Sequence, residues 1–171
     1  MTLLLGLGII GSRSADQLIA TGHSLKTWNR TQKSRPESIT NLVEAASQAD
    51  VILCYLRDDR AVRKVFSEIK DHLHEGTTFI NHATIDPETT LWLERQCRAA
   101  GGKFLDAPFT GSRDAAASGN LVYYIAGDRD VLEEHRPLLN VTSREIIYLG
   151  HPPAATVVKI TTNLATASAV Q

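Results

Sequence analysis

The chain has 171 residues, of which 43% are hydrophobic and 22% charged, and its formal net charge is −1. This composition is typical of a soluble globular domain, and the length suffices for one well-buried core. A charge balance this close to neutral argues against a nucleic acid or an anionic membrane as partner. Charged residues interrupt every apolar stretch before it reaches the roughly 20 residues of a membrane span.

The ends and the cysteines of the chain indicate its compartment. An apolar strand is predicted almost at Met1, so we expect no signal peptide. Cys54 lies in an apolar strand and Cys97 in a predicted helix, which favours neither a disulfide framework nor a metal site. We therefore expect a cytoplasmic protein without a bound metal.

Strands and helices are predicted to alternate along most of the chain. The strand Leu3–Leu7 leads into a helix over Gly8–Thr21, after which Gly22 stands at a C-cap position. The later predicted strands are Leu25–Trp28, Val51–Leu56, Thr77–Asn81, Lys103–Asp106, Leu121–Ala126 and Glu145–Leu149. The later predicted helices are Asn41–Ala49, Asp59–His74, Pro87–Ala100 and Arg129–Leu139. This alternation predicts the α/β class, with a Rossmann-type doubly wound, mostly parallel sheet.

The last predicted helix covers Ala154–Gln171, and the sequence stops within it without a cap. We therefore expect a dinucleotide-binding domain over residues 1–153, and the start of an interdomain helix over residues 154–171. Alanines and a valine near the end of this helix would leave an apolar face uncovered. We expect either a partner to cover this face or a further domain to be absent from the chain.

A glycine-rich turn follows the first predicted strand. Gly6 permits a tight turn, Gly8 lets the backbone approach a pyrophosphate, and Gly11 lets the helix pack closely on the strand. The helix N-terminus then offers unpaired N–H groups to the anion. A merely structural turn is the alternative, but the strand before and the helix after it favour dinucleotide binding. The candidate cofactor-binding residues here are Gly6, Leu7, Gly8, Ile9, Ile10 and Gly11.

The residues after the second strand indicate which dinucleotide is bound. An acidic residue at this position binds the adenosine ribose and repels a 2′-phosphate. This chain has Asn29, Arg30 and Thr31 there instead. Arg30 is suited to clamp a phosphate and stack on adenine, and its neighbours add neutral hydrogen bonds. The sequence therefore favours NADP(H) over NAD(H), although a solvated basic loop is the alternative.

Three further segments give the chain a family resemblance. Residues Phe79–Pro87, Asp106–Ser112 and Lys159–Asn163 resemble the strand-and-loop motif, the substrate-binding signature and the catalytic helix of the β-hydroxyacid dehydrogenases. The glycine turn and the residues after the second strand match in the same order, so the resemblance covers essentially the whole chain. The run Thr84–Thr89 and the variant Gly111-Ser112-Arg113 are most similar to the glyoxylate and succinic semialdehyde reductase branch.

The resemblance implies roles for particular residues. Lys159 matches the general acid and base at the substrate oxygen, and Asn163 follows one helical turn later, where it would help orient the substrate. The substrate carboxylate would be held by Thr110, Gly111 and Ser112. Two further residues, Leu56 and Thr84, match positions that contact the cofactor.

Several residues depart from the family pattern. Ala83 and Thr110 stand where the family has serines, Ala155 replaces a glycine, and Asn81 replaces an aspartate. These changes bear on the substrate more than on the cofactor. His82 is interpreted as a structural loop histidine, with a second acid or base as the alternative.

The resemblance implies an NADP-dependent oxidoreductase, or its cofactor-binding domain, that acts on a small aldehyde acid, keto acid or 3-hydroxy acid. A small-molecule carboxylate is the expected substrate. We expect a homodimer formed through the C-terminal helix or the absent domain. An imine reductase-like enzyme is one alternative, which the retained Lys159 disfavours. A non-catalytic NADP-binding or assembly module is the other.

Overall fold

The computed structural model describes residues 1–31 and 35–168. The strands in these residues are β1 (Thr2–Leu5), β2 (Leu25–Trp28), β3 (Val51–Cys54), β4 (Thr78–Asn81), β5 (Lys103–Asp106), β6 (Phe109–Thr110), β7 (Leu121–Gly127) and β8 (Ser143–Tyr148). The α-helices are α1 (Ile9–Ala20), α2 (Leu42–Ser47), α3 (Asp59–Ile69), α4 (Pro87–Ala99), α5 (Arg113–Ala117), α6 (Arg129–Asn140) and α7 (Ala154–Ser168). A 3-10 turn, Lys70–His72, follows α3.

The strands form one mostly parallel sheet, which confirms the predicted class. Its order is β2-β1-β3-β4-β5-β7-β6, and β8 also pairs with β7. Strands β1 to β5 are parallel, whereas β7 runs antiparallel to β5. The chain leaves β1 toward β2 on one side and then returns to β3 on the other. The carboxyl ends of β1 and β3 therefore flank the topological switch point, where α/β folds bind their ligands.

Both faces of the sheet are buried under helices. Leu3, Leu5 and Ile52 point to the layer that contains α2, α3 and α4. Leu4 and Leu53 point to the opposite layer, which contains α1 and α6. Because successive strand residues point to opposite faces, a parallel strand covered on both sides is apolar throughout. This is why the central strands β1 and β3 have no polar alternation.

Side-chain caps fix where several helices begin. Asn41 accepts a hydrogen bond from the backbone N–H of Glu44 at the start of α2, and Asp58 accepts one from Ala61 at the start of α3. Asp86 caps α4 by accepting from the N–H of Thr89 at 2.7 Å. Each cap satisfies one of the N–H groups that the first turn leaves without a helical partner.

The structure differs from the predicted elements mainly at the ends. β1 stops at Leu5 because Gly6 adopts a φ of 97°, which is incompatible with a strand. The short elements β6 and α5 were not predicted, because two and five residues are too few to establish a periodicity. The predicted last helix is present up to Ser168, and its final three residues lie outside the described part. Among the described helices, none has the length and apolar character that crossing a lipid bilayer requires.

Candidate functional site

The glycine turn lies at the switch point and connects β1 to α1. A Cβ on Gly6 would lie 2.6 Å from the carbonyl oxygen of Tyr55, and one on Gly11 would lie 2.0 Å from the carbonyl oxygen of Gly6. Both positions therefore require glycine for backbone packing. At Gly8, by contrast, a Cβ would meet nothing within 4 Å. The space over Gly8 is open, so a pyrophosphate has room to approach the backbone at the N-terminus of α1.

Asn29 connects the glycine turn to the loop after β2. Its side-chain oxygen accepts a hydrogen bond of 2.9 Å from the backbone N–H of Leu7, and its amide donates to the carbonyl of Thr31 at 2.7 Å. The Asn29 side chain therefore positions two loops of the cleft. The sequence predicts that Asn29 contacts the cofactor. The two hydrogen bonds add a second role, which is to hold the two loops together.

A cleft of about 520 Å³ opens beside this turn, between the loop after β2 and the first three turns of α3. Sequence reasoning found Asn29, Arg30 and Thr31 in the loop after β2, and Leu56, but it missed the basic residues of α3. The sequence did contain a signal for these residues, because charged side chains recur along α3 at intervals of three and four residues. The cleft is lined by Gly6, Gly8, Trp28, Asn29, Arg30, Thr31, Tyr55, Leu56, Arg57, Asp58, Arg60, Ala61, Lys64, Val65 and Glu68.

The loop after β4 lies next along the carboxyl edge. Thr84 is exposed, whereas Ala83 is buried. The Asn81 side chain closes a local turn: its amide donates to the Ala83 carbonyl at 3.0 Å, and its oxygen accepts from the Ala83 N–H at 3.3 Å. The amide suits this buried position better than the family's aspartate, because a carboxylate cannot donate the first of these bonds.

His82 is buried between two tyrosine rings. Its ring stacks on Tyr55 at a centroid distance of 4.4 Å and lies 4.7 Å from the ring of Tyr123. Its Nδ1 donates to the carbonyl of Ala107 at 2.8 Å. Burial lowers the pKa of His82 to about 4, so the ring is neutral at physiological pH. This environment supports the structural interpretation of His82.

Asp106, at the carboxyl end of β5, anchors the helix that carries Lys159. Its carboxylate accepts two hydrogen bonds of 2.8 Å from Thr156, one from the backbone N–H and one from the hydroxyl. The Thr156 hydroxyl also lies 2.9 Å from that of Thr90 on α4. Burial raises the pKa of Asp106 to about 6, against the lowering effect of the two bonds from Thr156. This anchor was missed at the sequence level, because Asp106 and Thr156 are 50 residues apart.

Lys159 follows Thr156 by three residues and therefore lies on the same side of α7. Its side chain is half-buried, and burial lowers its pKa. Asn163, one turn later, is exposed, as are all described residues from 161 onward. The described contacts of α7 therefore support Lys159 but do not reach Asn163.

The segment matched to the substrate signature turns from β6 into α5. Gly111 has a φ of 143°, and a Cβ there would lie 2.8 Å from the side chain of Leu121. Ser112 caps α5, because its hydroxyl oxygen accepts from the N–H of Ala115 at 3.1 Å. The Ser112 hydroxyl hydrogen is not used by this cap, and Thr110 is half-buried beside it. In the described chain, no group of three His, Cys, Asp or Glu side chains is arranged to hold a metal ion.

The fold and the open glycine turn define a nicotinamide-dinucleotide-binding domain. Residues 3–150 match the family model for the NAD binding domain of 6-phosphogluconate dehydrogenase. Together with the relatives described next, this match establishes that the chain belongs to the β-hydroxyacid dehydrogenase family.

Relatives of two kinds are similar to this chain. Glyoxylate/succinic semialdehyde reductase 1 of Arabidopsis thaliana is 29% identical over 94% of the chain and 59% of its own length. The cytokine-like nuclear factor N-PAC of Drosophila melanogaster is 32% identical over 86% of the chain, but over only 26% of its own length. The structure of 3-hydroxyisobutyrate dehydrogenase from Mycobacterium tuberculosis with L-serine matches with a TM-score of 0.91 and 25% identity, over 97% of this chain and 60% of that one. The chain thus spans less than two thirds of each of these proteins.

Proposed function

We propose that this chain is the cofactor-binding part of an NADP(H)-dependent oxidoreductase that acts on a small aldehyde acid, keto acid or 3-hydroxy acid. The observation that carries the proposal is the attachment of α7 to the carboxyl edge of the sheet through Asp106 and Thr156. This attachment brings Lys159 to the same edge as the glycine turn. This arrangement supports the proposal that Lys159 faces the place where a nicotinamide would lie.

A bound NADPH would supply the hydride for reduction of the carbonyl carbon of the substrate. Lys159 stabilises the negative charge that develops on the carbonyl oxygen and donates the proton to that oxygen. Burial lowers the pKa of Lys159, which makes the side chain a better proton donor than a fully solvated lysine. Asn163 would orient the substrate on the same helix face.

The remaining site residues have roles in binding. Ser112 retains a hydroxyl hydrogen, and together with Thr110 and the backbone at Gly111 it would hold the substrate carboxylate. On the cofactor side, Arg30 is exposed in the cleft next to Thr31, and no acidic residue follows β2 directly. This absence of a repelling carboxylate supports NADP(H) rather than NAD(H). Leu56 lines the cleft and Thr84 is exposed at the next strand end, in keeping with cofactor contacts.

A steady-state assay with NADPH and either glyoxylate or succinic semialdehyde tests the proposal. We expect NADPH oxidation by the chain, and a loss of about 10²- to 10⁴-fold in kcat for Lys159→Ala with unchanged NADPH affinity. Substitution of the exposed Lys26, which lies on β2 outside the cleft, should leave the rate unchanged. Equal rates for the wild type and Lys159→Ala would exclude the catalytic role.

A non-catalytic NADP-binding or assembly module is the second candidate function. The observation that favours it is the 32% identity to a protein named as a nuclear factor. The imine reductase structures that match are 20% and 17% identical and therefore bear on the fold alone. A chain that binds NADPH tightly but oxidises none of it with any of these substrates would support the module.

We further propose a homodimer and a cytoplasmic location. Val157 and Leu164 are large apolar residues of α7 that are 46% and 65% exposed, and a second copy would cover them. The thiols of Cys54 and Cys97 are free and buried, which is consistent with a reducing compartment. Light scattering on the purified chain measures the mass directly, and a monomer at every concentration would refute the dimer.

A further inference from the structure

We propose that Arg60 and Lys64 of α3 form the second wall of a two-sided anion site, opposite Arg30, that binds the 2′-phosphate of the dinucleotide. The inference rests on the proposed NADP(H) function. It adds two residues that determine cofactor specificity on an element that the sequence motifs do not cover.

The cleft has one wall on each side of the glycine turn. Strands β2 and β3 are the two neighbours of β1, so the loop after β2 and helix α3 flank the turn. Arg30 belongs to the first wall, and Arg60 and Lys64 belong to the second. An anion between the walls is therefore within reach of basic side chains from both sides.

The cleft-facing side of α3 carries an apolar and a charged row. Ala61 and Val65 are one turn apart and form the apolar row, which suits the flat face of an adenine ring. Arg60 and Lys64, offset by one residue, are also one turn apart and form the charged row. A nucleotide whose base lies on the apolar row would direct its ribose substituents toward the charged row.

These cations form no ion pair within the described part of the chain. No carboxylate there lies within ion-pair distance of Arg30, Arg60 or Lys64, and all three residues are exposed, although Asp58 interacts electrostatically with Arg60. Arg57, at the mouth of the cleft, does pair with Asp58, at 3.0 Å. A dianionic phosphate would therefore interact with three positive charges without first breaking an ion pair within the described protein.

Glu68 supplies an internal comparison. It lines the same cleft four residues after Lys64, so it continues the charged row with the opposite sign. If the row contacts a 2′-phosphate, Glu68 repels that group weakly, and its removal should favour NADPH. NADH lacks this phosphate, so the removal of Glu68 should not change the affinity for NADH.

Binding of NADPH and NADH to the chain, measured by calorimetric titration, tests the inference. For the double variant R60Q/K64Q we expect NADPH affinity to fall about 10-fold or more, and NADH affinity to change by less than about 2-fold. E68Q should strengthen NADPH binding by about 2-fold and leave NADH binding unchanged. The matched control K26Q/R144Q removes the same two charges at exposed positions outside the cleft and should change neither affinity.

The possible failures are distinguishable. If the wild type binds neither dinucleotide, or binds NADH more tightly than NADPH, the proposed NADP(H) function fails and the inference fails with it. If the wild type prefers NADPH but R60Q/K64Q weakens NADPH and NADH equally, only the second wall is refuted. The competitor 2′,5′-ADP gives a second readout: it should lose affinity for R60Q/K64Q, whereas 5′-AMP should not. Equal losses for both competitors would also overturn the inference.

Discussion

The carboxylate of Asp106 and the first turn of α7 at Thr156 are joined by two hydrogen bonds of 2.8 Å. One of these bonds satisfies a backbone N–H that the helix itself leaves unpaired, and the negative charge faces the positive end of the helix dipole. The carboxylate is nevertheless fully buried, which is costly for a charged group. Its raised pKa of about 6 reflects this balance.

Asp106 is expected to make the stability of the chain depend on pH. Because its pKa is raised in the folded state, the folded chain binds more protons than the unfolded chain between about pH 6 and pH 4. The contribution of Asp106 to stability therefore falls as pH rises through this window, by about 3 kcal/mol in total. Asp106→Asn removes the titration, so its free energy of unfolding relative to wild type should be higher at about pH 8 than at about pH 5.

Urea unfolding at the two pH values measures this difference. Asp114→Asn is the control, because Asp114 is exposed on α5 and should give the same offset from wild type at both pH values. An offset for Asp106→Asn that does not change with pH would contradict the prediction. Asp106→Ala should destabilise at both values by about 1–3 kcal/mol, because it leaves the Thr156 N–H buried without a partner.

His82 is expected to contribute a pH dependence of the opposite sign. Its pKa is lowered to about 4 by burial, so between about pH 6.5 and pH 4 the unfolded chain binds more protons than the folded chain. The wild type should therefore lose stability through His82 as pH falls through this window. His82→Phe keeps a ring between Tyr55 and Tyr123 but loses the hydrogen bond to the Ala107 carbonyl.

The variant His82→Phe should be less stable than wild type by about 1 kcal/mol at about pH 8, and this deficit should shrink or reverse at about pH 5. Chemical unfolding at both pH values provides the measurement. His72→Phe is a suitable comparison, because His72 is exposed and its substitution should not alter the pH dependence. A deficit that grows toward low pH would show that the imidazole is charged in the folded state.

The fold and the glycine turn were predictable because their signals are local. A run such as Leu3–Leu5 is apolar on both faces only when helices cover both sides of the sheet. Gly6, Gly8 and Gly11 lie close together in the chain, so their spacing is read directly from the sequence. The end of α1 was predictable from Gly22, which directly follows the C-cap residue Thr21.

The rest of the site depends on contacts between distant residues. Nothing near Asp106 in the sequence indicates that it meets Thr156, and the burial of His82 between two tyrosines follows from the pairing of β3, β4 and β7. The charged row of α3 is visible as a periodic pattern, but a solvated helix face has the same pattern. Only the position of α3 beside the glycine turn identifies the row as part of a cleft.

Gly8 and Gly11 should respond to alanine in different ways. A Cβ at Gly11 would lie 2.0 Å from the Gly6 carbonyl oxygen, so Gly11→Ala forces α1 away from β1 and should cost about 1–3 kcal/mol of stability. At Gly8 a Cβ has open space, so Gly8→Ala should leave the melting temperature nearly unchanged. The added methyl would occupy the approach to the backbone, and NADPH affinity should fall by about 10-fold or more.

Thermal unfolding and NADPH titration of the two variants separate these effects. Gly76→Ala is not a neutral control, because Gly76 has a φ of 87° that disfavours alanine. Ser47→Ala at the end of α2 is a better control for surface substitution, since Ser47 is exposed outside the cleft. If Gly8→Ala binds NADPH as tightly as the wild type, the pyrophosphate does not lie over this turn.

Asn29 separates loop positioning from phosphate recognition. Asn29→Ala removes both the acceptor for the Leu7 N–H and the donor to the Thr31 carbonyl, so it should loosen the two loops together. NADPH and NADH affinities should then fall by the same factor, of about 10-fold, and their ratio should be unchanged. Asn29→Asp retains the acceptor at Leu7 but adds a negative charge beside Arg30, so the preference for NADPH over NADH should fall by a factor of about 10. Parallel titrations of the two variants with both dinucleotides give these ratios. A lowered ratio for Asn29→Ala would mean that the Asn29 amide contacts the 2′-phosphate itself, and that its bonds to the two loops are secondary.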